Sequence, residues 1–139
     1  MTSPSGTRAT LAHLGHIAPN WIVRDIARSV AFYRDRLGFD VVFLGPDAAD
    51  PYFAIVERDD VRIMLKAIAP DVPPTPNVSR HPWARWDAYV FTTDPESLSD
   101  ELAARGVRFR EPLGVNSDNL RGFEIEDADG YVLYFGRPN

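Results

Sequence analysis

Residues 23–39 read VRDIARSVAFYRDRLGF, and a helix is written there with its start and its stop. Asp25 is a good N-cap, because its carboxylate can accept from an unpaired amide of the first turn. Ile26, Val30, Tyr33 and Leu37 recur at i, i+4, i+7 and i+11, which places them on one helical face. Arg28, Arg34 and Asp35 fall largely outside that stripe. Gly38 supplies the residue that most readily turns left-handed past a helix end. The spacing predicts a surface helix with one buried face and one wet face.

Working outward, residues 16–23, HIAPNWIV, read as a strand with an irregular start at Pro19. Residues 39–44, 52–57 and 61–67 read as three more strands, with Asp59 and Asp60 suiting the turn between the last two. Residues 69–82 hold Pro70, Pro73, Pro74, Pro76 and Pro82 and predict a stiff, extended connector. The pattern then restarts. A strand at 86–92 leads to Asp94 as N-cap with Pro95 at the first helical position, Leu98 and Leu102 at i and i+4, and Gly106 as the stop. Strands at 107–110, 123–126 and 131–135 follow.

The two halves match at a nearly constant offset: Asp94 lies 69 residues after Asp25, Asp129 69 after Asp60, and Gly106 68 after Gly38. The fold class is therefore α+β, one domain over residues 1–139. It contains two βαβββ units, at about 13–68 and 83–138, forming a cup-shaped mixed sheet with the helices on its convex side. The concave side is left for a ligand.

A chain of 139 residues suits one core. The net charge of -5 argues against nucleic acid as a partner, since phosphate-backbone binding draws on Lys and Arg. With no cysteine there is no disulfide framework, thiolate metal site or cysteine nucleophile. Residues 1–9 read as a flexible lead-in without the apolar run of a signal peptide. No stretch approaches the roughly 20 apolar residues of a membrane span, so the expectation is a cytoplasmic protein with no membrane partner.

VRDIARSVAFYRDRLGFDVVF, the later DPESLSDELAARGVRFREP and the closing DADGYVLYFGRP together resemble the vicinal oxygen chelate superfamily. That superfamily includes glyoxalase I, extradiol dioxygenases, fosfomycin-resistance enzymes and bleomycin-resistance proteins. The resemblance runs from His16 to Pro138 and is specific for fold rather than activity. It implies metal ligands on the concave face at the first and fourth strand of each unit, positions that fall here at Ala18, Leu65, Asp87 and Tyr134. Asp87 alone is a conventional divalent-metal ligand, so no metal and no cofactor are expected. A register shift of two would bring His16 inward toward Asp87, but would replace Leu65 by Ile63 or Ala67, neither of which binds a metal.

Asp87 is the carboxylate this register places in the cup, beside Tyr89 and Phe91; a structural network with Tyr134 or Arg85 and a ligand contact are both open readings. Strand parity puts Trp83 on the Asp87 face, as a lid or stacking residue, and sends Trp86 to the core with Ala88 and Val90. Glu124 lines the pocket if its face is concave, whereas Glu126 reads as solvated. Arg108 and Arg110 read as the wet side of an edge strand. Asn20 shares the inward parity of Ala18. The expected ligand-binding set is thus Asn20, Leu65, Trp83, Asp87, Tyr89, Glu124 and Tyr134, with no metal ligands.

The reading that follows is a metal-free, small-molecule binding and sequestering protein resembling bleomycin-resistance proteins, a branch for which the closing FGRP is typical. Its ligand would be cationic or aromatic, and the protein a homodimer. The alternatives are a lyase, isomerase or dioxygenase with a displaced metal site or an Asp87 and Tyr134 acid-base pair, and a non-catalytic dimer with an interaction role.

Overall fold

The Asp25 carboxylate accepts from the Arg28 amide at 3.3 Å and opens helix α1, Ile26–Ala31, in a computed structural model that describes residues 10–139. The lead-in expected at residues 1–9 lies outside the described residues. α1 is shorter than its apolar spacing predicts. Over Phe32–Arg36 the chain widens into one π-helical turn, where the Leu37 amide reaches the Phe32 carbonyl at 3.3 Å. The wider turn keeps both Tyr33 and Leu37 inside, and Gly38 then leaves with a φ of +72°.

Around it run β1 (Asn20–Ile22), β2 (Asp40–Gly45), β3 (Phe53–Arg58) and β4 (Val61–Lys66). The second unit repeats the order with β5 (Ala88–Phe91), a helix at Pro95–Ala104, β6 (Phe109–Val115), β7 (Leu120–Glu126) and β8 (Val132–Pro138). Between the units the connector is less extended than its prolines predict. It carries α2 (Asn77–Arg80) and a 3-10 turn at Pro82–Ala84, so the Pro95–Ala104 helix is α3. Asp94 caps α3 by accepting from the Ser97 amide at 3.0 Å, the counterpart of Asp25.

The strands form two four-stranded sheets, ordered β1-β4-β3-β2 and β5-β8-β7-β6. In each, the first strand of the unit runs parallel to the fourth and the remaining pairs are antiparallel. The expected cup is thus built as two open sheets. α1 packs on β3 and β4, and α3 on β6, β7 and β8. Val30, Tyr33 and Leu37 share one buried cluster with Ile63, Leu65, Leu102, Phe123 and Leu133, so both units contribute to a single core.

That core is closed by a polar lock. Tyr33, fully buried, donates its hydroxyl to Asp127 Oδ2 at 2.7 Å, while Asp127 Oδ1 accepts from the amides of Asp129 and Tyr131. Next to it, Asp129 accepts from the Arg24 amide and from the Ser29 hydroxyl at 2.6 Å. The turn between β7 and β8 therefore receives the start of α1. Trp21 stacks on Tyr131 with centroids 4.7 Å apart, and the Tyr131 hydroxyl donates to the Ile22 carbonyl. At the other end of α1, Arg58 pairs with Glu101 through two 2.8 Å bonds.

Burial pushes the Asp127 carboxyl up to about 6, against the pull of its three donors. Burial, and then the neighbouring Asp127, also hold the Tyr33 hydroxyl well above its ordinary value, so Tyr33 stays a donor at any physiological pH. Between about pH 4 and 6 the folded chain keeps a proton that the unfolded chain has released. The stability from this group is complete below the unfolded value and is lost as pH rises through about 6. Urea unfolding at stepped pH should therefore show the stability of wild type falling relative to Asp127→Asn across that window. A constant difference would contradict it. Tyr33→Phe, which leaves Asp127 Oδ2 without its donor, should cost about 1–3 kcal/mol in the same measurement.

Candidate functional site

Residues alternate faces along a strand, and the core takes Leu133 and Phe135 of β8 with Phe123 and Ile125 of β7. The other face therefore receives Tyr134 and Glu124, which lie opposite each other in register. Gly122 and Gly136 are paired beside them, and the Tyr134 ring lies flat over both. A Cβ at either glycine would stand 2.6 Å from Tyr134, at its hydroxyl over Gly122 and at its ring over Gly136. These glycines are a bed for the ring, and any larger residue would lift it off the sheet.

On this bed three aromatic rings assemble. Trp86 stacks on Tyr134 at 4.5 Å, and Tyr89 lies nearly parallel to Tyr134 at 5.6 Å, with an interplanar angle of 11°. Tyr89 and Phe91, two positions apart and so on the same face of β5, stay exposed. Glu124 is buried at the base, where Oε2 accepts from Trp86 Nε1 at 2.9 Å and Oε1 accepts from Arg110. Arg85 lies over the Trp86 ring at 4.6 Å and pairs with Asp118 at 2.8 Å. The charges around the rings are thus matched in pairs, and the exposed surface they frame is aromatic.

The Tyr134 hydroxyl is buried and has no hydrogen-bond partner among the described residues. Burial is the main cause that raises its pKa, with the neighbouring Tyr89 and Glu124 adding to it, so it is a neutral donor. Beside the rings, a cleft of about 570 Å³ opens between Tyr89 and Phe91 on one side and Ile17, Ala18 and Arg62 on the other.

The structure brings Asp87, Tyr89, Glu124 and Tyr134 to one region and disperses the rest. Asp87 takes neither partner foreseen for it. Its two oxygens accept from the backbone amides of Asn77 and Val132, each at 2.8 Å, so the carboxylate ties α2 to the start of β8. It shares no hydrogen bond with Tyr134. Leu65 is a correction: it is completely buried in the cluster with α1, and the open face of β4 goes to Arg62, Met64 and Lys66. Asn20 is exposed, in register with Met64. Trp83 is 86% exposed on the 3-10 turn and meets His81 edge-on, away from the three rings.

Trp86 is the residue that sequence parity misplaced. β5 begins at Ala88, and Arg85 takes a φ of +48°, so alternation does not extend back to Trp86 and its ring turns to the open face. The Trp-Asp-Ala-Tyr spacing held no signal for this. The paired glycines of RGFE and YFGR, read together, were a trace of the close approach at Tyr134.

The metal-ligand positions implied by the resemblance do not assemble a site. Ala18 and Leu65 carry no donor atom, both Asp87 oxygens are engaged, and His16 is exposed outside β1. Among the described residues no group of three His, Cys, Asp or Glu side chains could hold an ion. This donor set does not fit a metal centre.

Comparison with known proteins agrees with this fold. A bleomycin-binding protein from bleomycin-producing Streptomyces verticillus, in complex with copper(II)-bleomycin, superposes with a TM-score of 0.65 at 26% identity, over 94% of this chain and 100% of that one. TioX from Micromonospora sp. ML1 superposes with a TM-score of 0.71 at 17% identity, over 90% and 99% of the two chains. TnmS3, an antibiotic-binding protein from Streptomyces sp. CB03234, gives 0.64 at 21% identity, over 94% and 98%. No curated protein sequence matches. The model of the Glyoxalase/Bleomycin resistance protein/Dioxygenase superfamily matches residues 5–135, and with two βαβββ units behind that match, the chain belongs to this superfamily.

Proposed function

We propose that this protein binds and sequesters a small molecule with a flat aromatic portion, without a metal, on the open face of the second sheet. The observation that carries this reading is the stack of Trp86, Tyr134 and Tyr89 around a buried hydroxyl that lacks a partner. An aromatic plane laid on Tyr89 would extend the stack, and an acceptor on the ligand would meet the Tyr134 donor. Glu124 is already engaged by Arg110 and Trp86, which favours aromatic stacking over capture of a cation. The likeness to a bleomycin-binding protein supports an antibiotic-like ligand.

The exposed Phe43 and Phe91 suit a homodimer in which such surfaces are covered, and the expected setting is the cytoplasm. Sedimentation velocity at micromolar concentration should give twice the chain mass.

Titration of tryptophan fluorescence with metal-free bleomycin and a panel of polycyclic aromatic antibiotics, in the presence of EDTA, should give saturable quenching by at least one compound. Tyr89→Ala should weaken that binding about tenfold, as expected for one lost stacking contact. Binding that requires an added divalent metal, or that is unchanged in Tyr89→Ala, would overturn the proposal. Tyr134→Phe separates affinity from folding. Removing a buried hydroxyl that has no partner should leave thermal stability unchanged or higher by up to about 1 kcal/mol, while affinity falls. Unaltered affinity would show that the hydroxyl makes no contact.

A further inference from the structure

On the helix side of the molecule a second cleft, of about 860 Å³, runs between α1 and the residues leading into β6. Arg28, Arg36, Arg108 and Arg110 line it together with Phe32 and Phe109. Four arginines in one cleft stand out in a chain of net charge -5.

Their partners are more telling. Elsewhere Arg34, Arg58, Arg62, Arg85, Arg105 and Arg121 each meet a carboxylate, while Arg137 donates to the Pro138 carbonyl. In the cleft, Arg28 donates to the Ala128 carbonyl at 2.7 Å and Arg36 to the Arg105 carbonyl at 2.8 Å. Each guanidinium is thereby held in place without an ion pair to any described carboxylate, although the charge of Asp35 reaches Arg36. Arg108 makes no hydrogen bond or ion pair with any described residue. Arg110 alone is neutralised, by Glu124 and more distantly by Glu126. Of the two carboxylates in the cleft wall, Asp127 is taken up by Tyr33 and Glu126 faces Arg110 at 4.0 Å.

Three guanidinium groups, two of them fixed through neutral acceptors, leave forked donors free for a compact dianion. Phe32 and Phe109 are half-buried between them, and the Phe109 ring is held by stacking on Phe123 at 5.0 Å. These rings offer an apolar rest beside the charged groups. The acidic balance of the whole chain opposes a nucleic-acid strand and leaves a small solute as the occupant.

We propose that this cleft binds a small phosphorylated molecule, with the phosphate held by Arg28, Arg36 and Arg108 and an apolar portion resting on Phe32 and Phe109. Arg28 and Arg36 belong to the first unit and Arg108 to the second, so the bound anion would bridge the two. Arg110 borders this cleft and also donates to Glu124 beneath the aromatic stack, so the two regions meet at β6, but the proposal does not rest on the function proposed above.

Isothermal titration of the full chain with phenyl phosphate, inorganic phosphate and phenol tests it. Phenyl phosphate should bind more tightly than inorganic phosphate, phenol should not bind measurably, and affinity should fall as salt is raised from 50 to about 300 mM. Arg108→Gln should weaken phenyl phosphate binding about tenfold, and because the Arg108 side chain has no partner among the described residues, the thermal stability of the variant should stay at the wild-type value. Tyr89→Ala should leave this binding unchanged. Absence of phenyl phosphate binding, equal binding of phenol, or wild-type affinity in Arg108→Gln would overturn the proposal. A gain for single-stranded oligonucleotide over phenyl phosphate would also overturn it.

Discussion

The bond from Tyr33 to Asp127 is the constraint on which the rest of the molecule depends. It lies inside the core, joins residues 94 apart in sequence, and fixes the first helix of one unit to the last turn of the other. A buried carboxylate is stable only when its lone pairs are occupied, and the three donors around Asp127 meet that condition only if both units are in place. Asp129 then receives the Arg24 amide and the Ser29 hydroxyl, so the turn and the start of α1 define each other. β8 begins directly after this lock, which sets the position of Tyr134.

The open face owes its chemistry to what surrounds that tyrosine. Two paired glycines let the ring lie on the sheet, Trp86 and Tyr89 flank it, and Glu124 holds Trp86 through the indole N–H. The acidic group that looked catalytic in the sequence, Asp87, is occupied by two backbone amides. A carboxylate bound in that way organises the chain around it, with each oxygen held by a backbone amide. The superfamily scaffold is thus present with an aromatic surface in the region where its metal-dependent members place ligands.

The repeat was legible because it is written in residues with local physical meaning. Aspartates that accept from first-turn amides and glycines that tolerate positive φ mark helix ends wherever they occur, so Asp25 with Gly38 and Asp94 with Gly106 located both helices. The parallel pairing of first and fourth strands came only with the structure. Face assignments were less secure, because parity holds only within a continuous strand. It carried Tyr89 and Tyr134 to the open face and left Glu124 open between two faces, but failed for Leu65, where the 69-residue offset slips by one, and for Trp86, which lies beyond the irregular Arg85.

The sequence by itself determined the two-unit α+β fold and the helix boundaries marked by caps, since both depend on residue type and short-range spacing. Only the tertiary structure decided which groups meet: that Tyr33 satisfies Asp127, that Glu124 is shared by Trp86 and Arg110, and that Arg28, Arg36 and Arg108 border one cleft. Those contacts join distant residues across two units, and local propensity carries no information about them until the core has closed.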